Sequence, residues 1–281
     1  MRLTIRIITD GGADLPQGMP EECKLHIVPL HVTFGEQAFQ LQQGMRTFYS
    51  IMKTNSVLPK TASPSPQDFV EAFERYPADD LLVIAMSSGL SSTFQHAVMA
   101  RNMVLEEGSP RRIEVIDTRT ASIGQALIAY RSWKEIQAGR TFDEVAAAAQ
   151  AFAEGAKTLF YLDTLENVVK GGRLSQAKGA IASVLNIKLF MQASVEGTVE
   201  VVDKVRGKKN ALTRLIDKID ELGGSAADKV IGIAHSTTEE EVRGVLDRIL
   251  AKHPFREVFI TEVGPVIGTY AGEGGIVLSY A

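Results

Sequence analysis

Short apolar runs alternate with helical patterns along most of this sequence, and this alternation limits the fold more than any other feature. Each run is rich in Ile, Val and Leu, is bounded by polar loops and has the length of a buried strand. Where strands and helices alternate, the helices cover a sheet of parallel strands. The sequence therefore predicts an α/β fold with strands at 3–9, 81–86, 112–117, 157–162, 229–235 and 257–263.

Two other stretches have clear periodicity. Residues 237–252 place apolar side chains at i, i+3, i+4, i+7 and i+8, after a threonine that can cap a helix. Residues 25–40 alternate polar and apolar side chains around Gly35. The first pattern predicts an amphipathic helix, and the second predicts an antiparallel hairpin or an edge strand.

A change of pattern suggests where the chain divides. A helical pattern ends at Gly155, and a new strand begins directly after it. We therefore predict two α/β domains, residues 1–155 and 156–281. In the second domain, residues 177–185 have the spacing of one apolar helix face, which is typical of a core helix.

Composition and charge exclude several function classes. The 281 residues carry a net charge of -4, and the densest basic stretch is short, so nucleic acid is not an expected partner. Cys23 is the single cysteine and the five histidines lack metal-ligand spacing, so we expect neither a disulfide nor a metal. No signal sequence and no bilayer-length apolar segment is present, which predicts a cytoplasmic protein that does not insert into membranes.

The stretch MSSGLSSTFQ (86–95) places four serines between a buried strand and a helix. A nucleophilic serine needs a base within reach, and His96 on the following helix points away from Ser91. The hydrolase elbow G-x-S-x-G and the glycine-rich phosphate loops are absent from the sequence. A helix N-terminus with several hydroxyls favours a bound anion, and helix capping by Ser91 or Ser92 is the structural alternative.

Two further loops carry candidate polar residues. In KTASPSPQDF (60–69) prolines stiffen the loop, and Ser65 has the features of a helix cap, whereas Thr61 has no such structural role. Arg173 follows a Gly-Gly turn, and Arg206 lies in DKVRGKKNALTRL. Both arginines are candidates to contact an anion, with a solvated surface position as the alternative.

Five separated motifs occur in the order that is typical of one family. They are TDGGADLP, LPKTASPSP, SSGLSSTFQ, GGRLS with LNIK, and VGPVIGT. Each is weak alone, whereas the ordered set resembles the DegV family of bacterial fatty-acid-binding proteins from about residue 5 to residue 278. The resemblance implies two α/β domains with largely parallel sheets. It also implies a long apolar tunnel at their interface that holds a fatty acid of the palmitate or oleate type.

The resemblance also assigns roles to individual positions. It implies that Thr61 and Ser91 bind the carboxylate of the fatty acid. Tyr270 stands where the family has a histidine; its hydroxyl can donate a hydrogen bond but carries no titratable positive charge at neutral pH. The other supporting candidates are Ser88, Ser92, Arg173 and Arg206.

Members of the DegV family deliver the fatty acid to a separate kinase that makes acyl phosphate. The resemblance therefore implies a carrier subunit rather than an enzyme, with a long-chain fatty acid and a fatty acid kinase as partners and no cofactor of its own. ATP would bind the kinase, in agreement with the missing phosphate loop. A serine-dependent esterase or acyl transferase that uses Ser91 is the alternative.

Overall fold

The computed structural model of the protein describes residues 4–55, 57–174, 187–222 and 226–281. The apolar stripe predicted at residues 177–185 lies outside them. Within the described parts of the chain, three sheets are flanked by helices, which confirms the α/β class. No helix in these parts is long and apolar enough to cross a membrane.

The strands and helices follow one another in short alternating units. The strands are β1 (Ile5–Asp10), β2 (His26–Val28), β3 (His31–Phe34), β4 (Gln37–Ala38), β5 (Lys60–Ala62), β6 (Asp80–Ala85), β7 (Ile113–Asp117), β8 (Lys157–Tyr161), β9 (Ile187–Ala193), β10 (Val199–Arg206), β11 (Val230–His235), β12 (Glu257–Glu262) and β13 (Ile276–Tyr280). The helices are α1 (Met19–Glu22), α2 (Gly44–Thr54), α3 (Pro66–Glu74), α4 (Thr93–Glu106), α5 (Ser122–Gln137), α6 (Phe142–Gly155), α7 (Glu166–Lys170), α8 (Lys208–Leu222), α9 (Glu239–Leu250) and α10 (Pro265–Ala271). All six predicted strands are present, each within two residues of its predicted bounds.

The first sheet is parallel throughout, in the order β2-β1-β6-β7. Every residue of β6 is buried because helices pack on both faces of this central strand. Leu81 and Val83 contact the cluster that contains α3 and α4, whereas Leu82 and Ile84 contact the cluster that contains α5 and α6. This arrangement matches the parallel βαβ units predicted from the sequence.

A small antiparallel sheet, in the order β4-β3-β5, confirms the hairpin predicted around Gly35. Strand β5 pairs with β3 so that Thr61 lies opposite Val32. Ser65 caps α3 as predicted, because its hydroxyl accepts a hydrogen bond from the Asp68 amide. The stiff loop from Thr61 to Ser65 is therefore fixed at both ends.

The second sheet has the order β10-β9-β8-β13-β11-β12 and differs from the largely parallel pairing expected for it. Only the pair β11 and β12 is parallel. The other pairs are antiparallel, because a tight turn joins β9 to β10 and β13 runs back between β8 and β11. Helix α9 is capped by Thr238, whose side chain accepts a hydrogen bond from the Glu241 amide, and it buries its apolar face on this sheet.

Helix α5 lies between the two large sheets and contacts both. Ile128 packs in the core of the first sheet, and Ile123 packs in a cluster with β11 and β13. A Cβ atom on Gly232 of β11 would lie 2.3 Å from Cγ1 of Ile123, so only glycine allows α5 to approach this closely. The strands before α5 end by Asp117 and those after it begin at Lys157. The division into two domains at residue 155 stays a prediction.

Candidate functional site

A cavity lies between the two large sheets. Its walls include alternate residues along and just beyond β8, namely Thr158, Phe160 and Leu162, and one face of α10. Further apolar walls come from the start of α5 and from β10 and β13. The volume of the cavity is about 130 Å³. The cavity is thus mainly apolar and runs along a strand.

Hydroxyl groups gather at one end of this cavity. The Thr61 Oγ1 lies 2.6 Å from the Tyr270 Oη, although the two residues are 209 positions apart in the chain. Thr61 is positioned by the pairing of β5 with β3, and Tyr270 by α10. Both side chains line the cavity and are half-buried. Two residues predicted from separate motifs therefore meet at the site.

A second group of hydroxyls lies at the same end. The Ser63 Oγ is 2.8 Å from the Ser91 Oγ, which in turn is 2.8 Å from the Thr93 Oγ1. Ser92 donates a hydrogen bond of 3.0 Å to the Ser63 Oγ. Ser63 and Ser91 line the cavity, whereas Ser92 is exposed behind them. The stiff loop, residues 61–65, and the serine loop, residues 86–92, are thus joined through their side chains.

Arg173 is the one cation that lines the cavity within the described parts of the chain. Its guanidinium carbon lies 4.9 Å from the centre of the Tyr270 ring, and its Nε donates to the Leu90 carbonyl at 3.3 Å. The side chain is exposed, so this end of the cavity opens towards solvent. A positive charge beside the hydroxyls favours an anionic group there.

Two predicted supporting residues lie elsewhere. Ser88 donates its backbone N–H to Asp117 and does not line the cavity. Arg206 is exposed at the end of β10 and is also absent from the lining. Of the seven residues predicted for the site, the structure brings Thr61, Ser91, Arg173 and Tyr270 to the cavity, with Ser92 adjacent.

The serine loop also has a structural role that the sequence did not indicate. The Ser87 hydroxyl is buried and donates to the Gly197 carbonyl at 2.7 Å, which ties the loop to the turn between β9 and β10. Ser92 occupies the cap position of α4 but makes no capping hydrogen bond with its side chain. The Ser91 Oγ accepts from the Thr93 amide at 3.3 Å, so the capping interpretation holds only in part.

The contacts of Ser91 do not support the esterase alternative. Its hydroxyl contacts only other hydroxyls and one backbone amide in the described structure. His96, the nearest imidazole in the sequence, is directed at the Pro64 carbonyl, with its Nδ1 2.6 Å from that oxygen. A nucleophilic serine requires a base that accepts its proton.

The described residues also contain no group of side chains that could hold a metal ion.

Sequence reasoning missed several polar residues of the cavity. Ser63 lies in the quoted loop, but the sequence alone does not show which hydroxyl of that loop faces inwards. Thr158 and Ser122 also line the cavity. The alternation of Thr158, Phe160 and Leu162 along one strand is the signal that could have placed Thr158 on the cavity face.

A buried carboxylate joins three elements around the cavity. Asp14 accepts hydrogen bonds from the Ser122 hydroxyl, at the start of α5, and from the Gly264 amide, which precedes α10. Burial raises the pKa of Asp14 to about 7, despite these hydrogen bonds. Burial likewise raises the pKa of Asp10 to about 6. Neither carboxylate has a salt-bridge partner among the described residues.

The raised pKa values predict a pH dependence of stability. Between about pH 4 and 7, the two carboxyl groups still hold a proton in the native state but have released it in the unfolded chain. The free energy of unfolding therefore decreases as pH rises through this range. In Asp14→Asn the neutral amide escapes this loss. We expect the free energy of unfolding of the variant, relative to wild type, to increase up to about pH 7 and then level off. The slope is at most about 1.4 kcal/mol per pH unit.

Urea unfolding between pH 4.5 and 8.5 measures this difference. Asp228→Asn, at an exposed aspartate, provides a matched control whose difference from wild type should not follow this profile. A difference for Asp14→Asn that stays constant over the whole range would contradict the assignment.

The fold and the cavity define an α/β binding protein whose elongated apolar cavity ends in hydroxyl groups. The chain belongs to the DegV family, whose model, described as "Uncharacterised protein, DegV family", matches residues 4–281. This match confirms the resemblance drawn from the five motifs.

Relatives match over the full length of the chain. A DegV domain-containing protein of Clostridium perfringens is 28% identical over 280 residues, which cover 98% of this chain and 96% of the relative. A solved DegV family structure from Ruminococcus gnavus, with vaccenic acid, has a TM-score of 0.92 and 28% identity, and covers 98% and 99% of the two chains. The Fatty Acid Kinase (Fak) B3 protein of Streptococcus pneumoniae, loaded with linoleic acid, has a TM-score of 0.84 and 29% identity, with 99% of each chain covered.

Proposed function

We propose that this protein binds one long-chain fatty acid, with the carboxylate held by Thr61 and Ser91 and the acyl chain in the cavity. The observation that carries the proposal is that two clusters of hydroxyl side chains, one with Thr61 and one with Ser91, lie at one end of a mainly apolar cavity. Each buried CH₂ contributes about 0.8 kcal/mol, so a long chain supplies most of the affinity. The structures of relatives with vaccenic and linoleic acids support the ligand class.

Counting hydroxyl protons supports the position of the carboxylate. The pair Thr61 and Tyr270 has two protons and uses one in the hydrogen bond between them, so one remains to be donated. The group Ser92, Ser63, Ser91 and Thr93 has four protons and uses three in its internal hydrogen bonds. Each group therefore has one donor left, and a carboxylate has two oxygens that accept. Arg173 adds positive charge at the open end.

The lipid that copurifies with the protein tests this proposal. Protein expressed in bacteria and purified without detergent is extracted with organic solvent, and the extract is analysed by mass spectrometry. We expect close to one long-chain fatty acid per protein, and uptake of added palmitate or oleate after the lipid has been removed. An extract without acyl chains, combined with no uptake of either acid, would rule out the proposal.

The second part of the proposal concerns the fate of the ligand. The protein presents the carboxylate to a separate fatty acid kinase and acts as a carrier rather than as a catalyst. Full-length similarity to the Fak B3 protein supports this, as does the open end of the cavity beside the exposed Arg173. With a purified fatty acid kinase and ATP, the loaded protein should yield acyl phosphate, which hydroxylamine traps. No product, from a kinase that is active with its own carrier, would contradict the partnership.

A further inference from the structure

The far end of the cavity is formed by Thr158 of β8. Leu162 packs in a cluster with Tyr270, so it marks the end at which the first hydroxyl groups lie. Thr158 is four residues earlier on the same side of the strand, at about 3.3 Å per residue, so it lies about 13 Å away. An acyl chain that starts at Thr61 and Ser91 therefore approaches Thr158 with its distal part.

The distances to competing acceptors set the direction of the hydrogen bonds of Thr158. The Ser279 hydroxyl donates to the Lys157 carbonyl at 3.0 Å, and its single proton is used there. The Thr120 Oγ1 lies 2.7 Å from the Thr158 Oγ1 and 3.4 Å from the Ala121 carbonyl, so its proton goes to the nearer oxygen. The Thr158 hydroxyl then donates to Ser279, at 3.0 Å. All three protons are used. The Thr158 Oγ1 accepts one hydrogen bond and keeps a second lone pair without a partner.

A second cavity meets the first at this residue. Thr158 lines both cavities, and the second has a similar volume of about 150 Å³. Its walls mix polar residues, among them Arg119, Lys157 and Ser194, with apolar ones such as Ala153 and Leu159. The acyl cavity thus ends at a hydroxyl beside a second cavity that contains polar groups, whereas the methyl end of an ordinary fatty acid needs only an apolar wall.

We propose that the cavity accepts a fatty acid that carries a hydroxyl group at or near its distal end, and that this hydroxyl donates to the Thr158 Oγ1. The inference rests on the proposed function, since it assumes a carboxylate at the opposite end. A hydroxylated chain fits because the Thr158 Oγ1 has a free lone pair, and the hydroxyl group of the ligand can donate a hydrogen bond to it. If the ligand hydroxyl were buried against an apolar wall, it would have no hydrogen-bond partner, and binding would be weaker by roughly tenfold or more.

Competition binding to the delipidated protein at pH 8 tests the proposal. The ligands are ω-hydroxy fatty acids of 10 to 16 carbons and the corresponding unsubstituted acids. For each length, the measured quantity is the ratio of the affinity of the hydroxy acid to that of its parent. We expect one length at which the hydroxy acid binds at least as tightly as its parent. In Thr158→Val this ratio should fall about tenfold, whereas Thr158→Ser should keep it.

Thr269→Val is the matched control, because Thr269 is a buried threonine on α10 that does not line the cavity. Its affinity ratios should equal those of wild type. Ratios that Thr158→Val does not change, or hydroxy acids that bind at least tenfold more weakly than their parents at every length, would overturn the inference alone. If neither class of acid binds, the proposed function fails with it.

Discussion

A protein that carries Thr61→Val and Ser91→Ala together is expected to lose its bound fatty acid on purification and to bind added palmitate at least a hundredfold more weakly. Each substitution removes a hydroxyl from one of the two groups at the open end of the cavity. A hydrogen bond to a charged group contributes about 1.5–3 kcal/mol, and two such losses correspond to a hundredfold or more. Mass spectrometry of the extract and a displacement titration measure the two effects.

The fold should tolerate this double substitution. Thr61 and Ser91 are only half-buried, and valine nearly retains the shape of threonine. Ser50→Ala is a suitable control, since Ser50 is exposed on α2 and makes no side-chain contact with the cavity. A double variant that melts like wild type and still retains one fatty acid per protein would mean that other groups hold the carboxylate.

The parallel part of the fold could be predicted because its strands have a strong local signal. Strands such as β6 are buried on both faces and therefore appear as continuous apolar runs. Strand β10 was missed because it is an edge strand with half-exposed residues and a bulge between Val201 and Asp203. Strand β13 lies between two antiparallel partners that are far away in the sequence. Its pairing depends on the tertiary fold and not on any local pattern.

The candidate site shows the same division between local and long-range information. Thr61 and Ser91 lie in motifs with more hydroxyls than local structure requires, and the resemblance to the DegV family singled them out from the other hydroxyls there. Tyr270 was predicted as a supporting residue through the resemblance, but its contact with Thr61 joins residues 209 positions apart and could not be predicted. Ser63 was not predicted as a site residue. Arg206 was a supporting candidate, yet it does not line the cavity. A motif thus names residue types, while the sheet order decides which of them meet.

The substitution Gly197→Ala is expected to cost about 2–4 kcal/mol of stability and to weaken fatty acid retention. Gly197 has a φ of 75°, in the left-handed region that costs other residues about 1 kcal/mol. A Cβ atom there would also lie 2.1 Å from the Ser87 Oγ and 2.8 Å from the Arg119 Cα. Overpacking of this kind costs about 1–3 kcal/mol, and the melting temperature should fall by roughly 5–15 °C.

The effect on the ligand follows from the position of this turn. The Ser87 hydroxyl donates to the Gly197 carbonyl, and Val199, two residues later, lines the cavity. Displacing the turn therefore moves the serine loop and the β10 wall apart.

Gly108→Ala is the control that distinguishes backbone strain from steric overlap, because Gly108 has a φ of 88° and nothing within 4 Å of its added Cβ. It should lose only about 1 kcal/mol and keep its lipid. Equal losses in the two variants would show that the turn does not press against the serine loop.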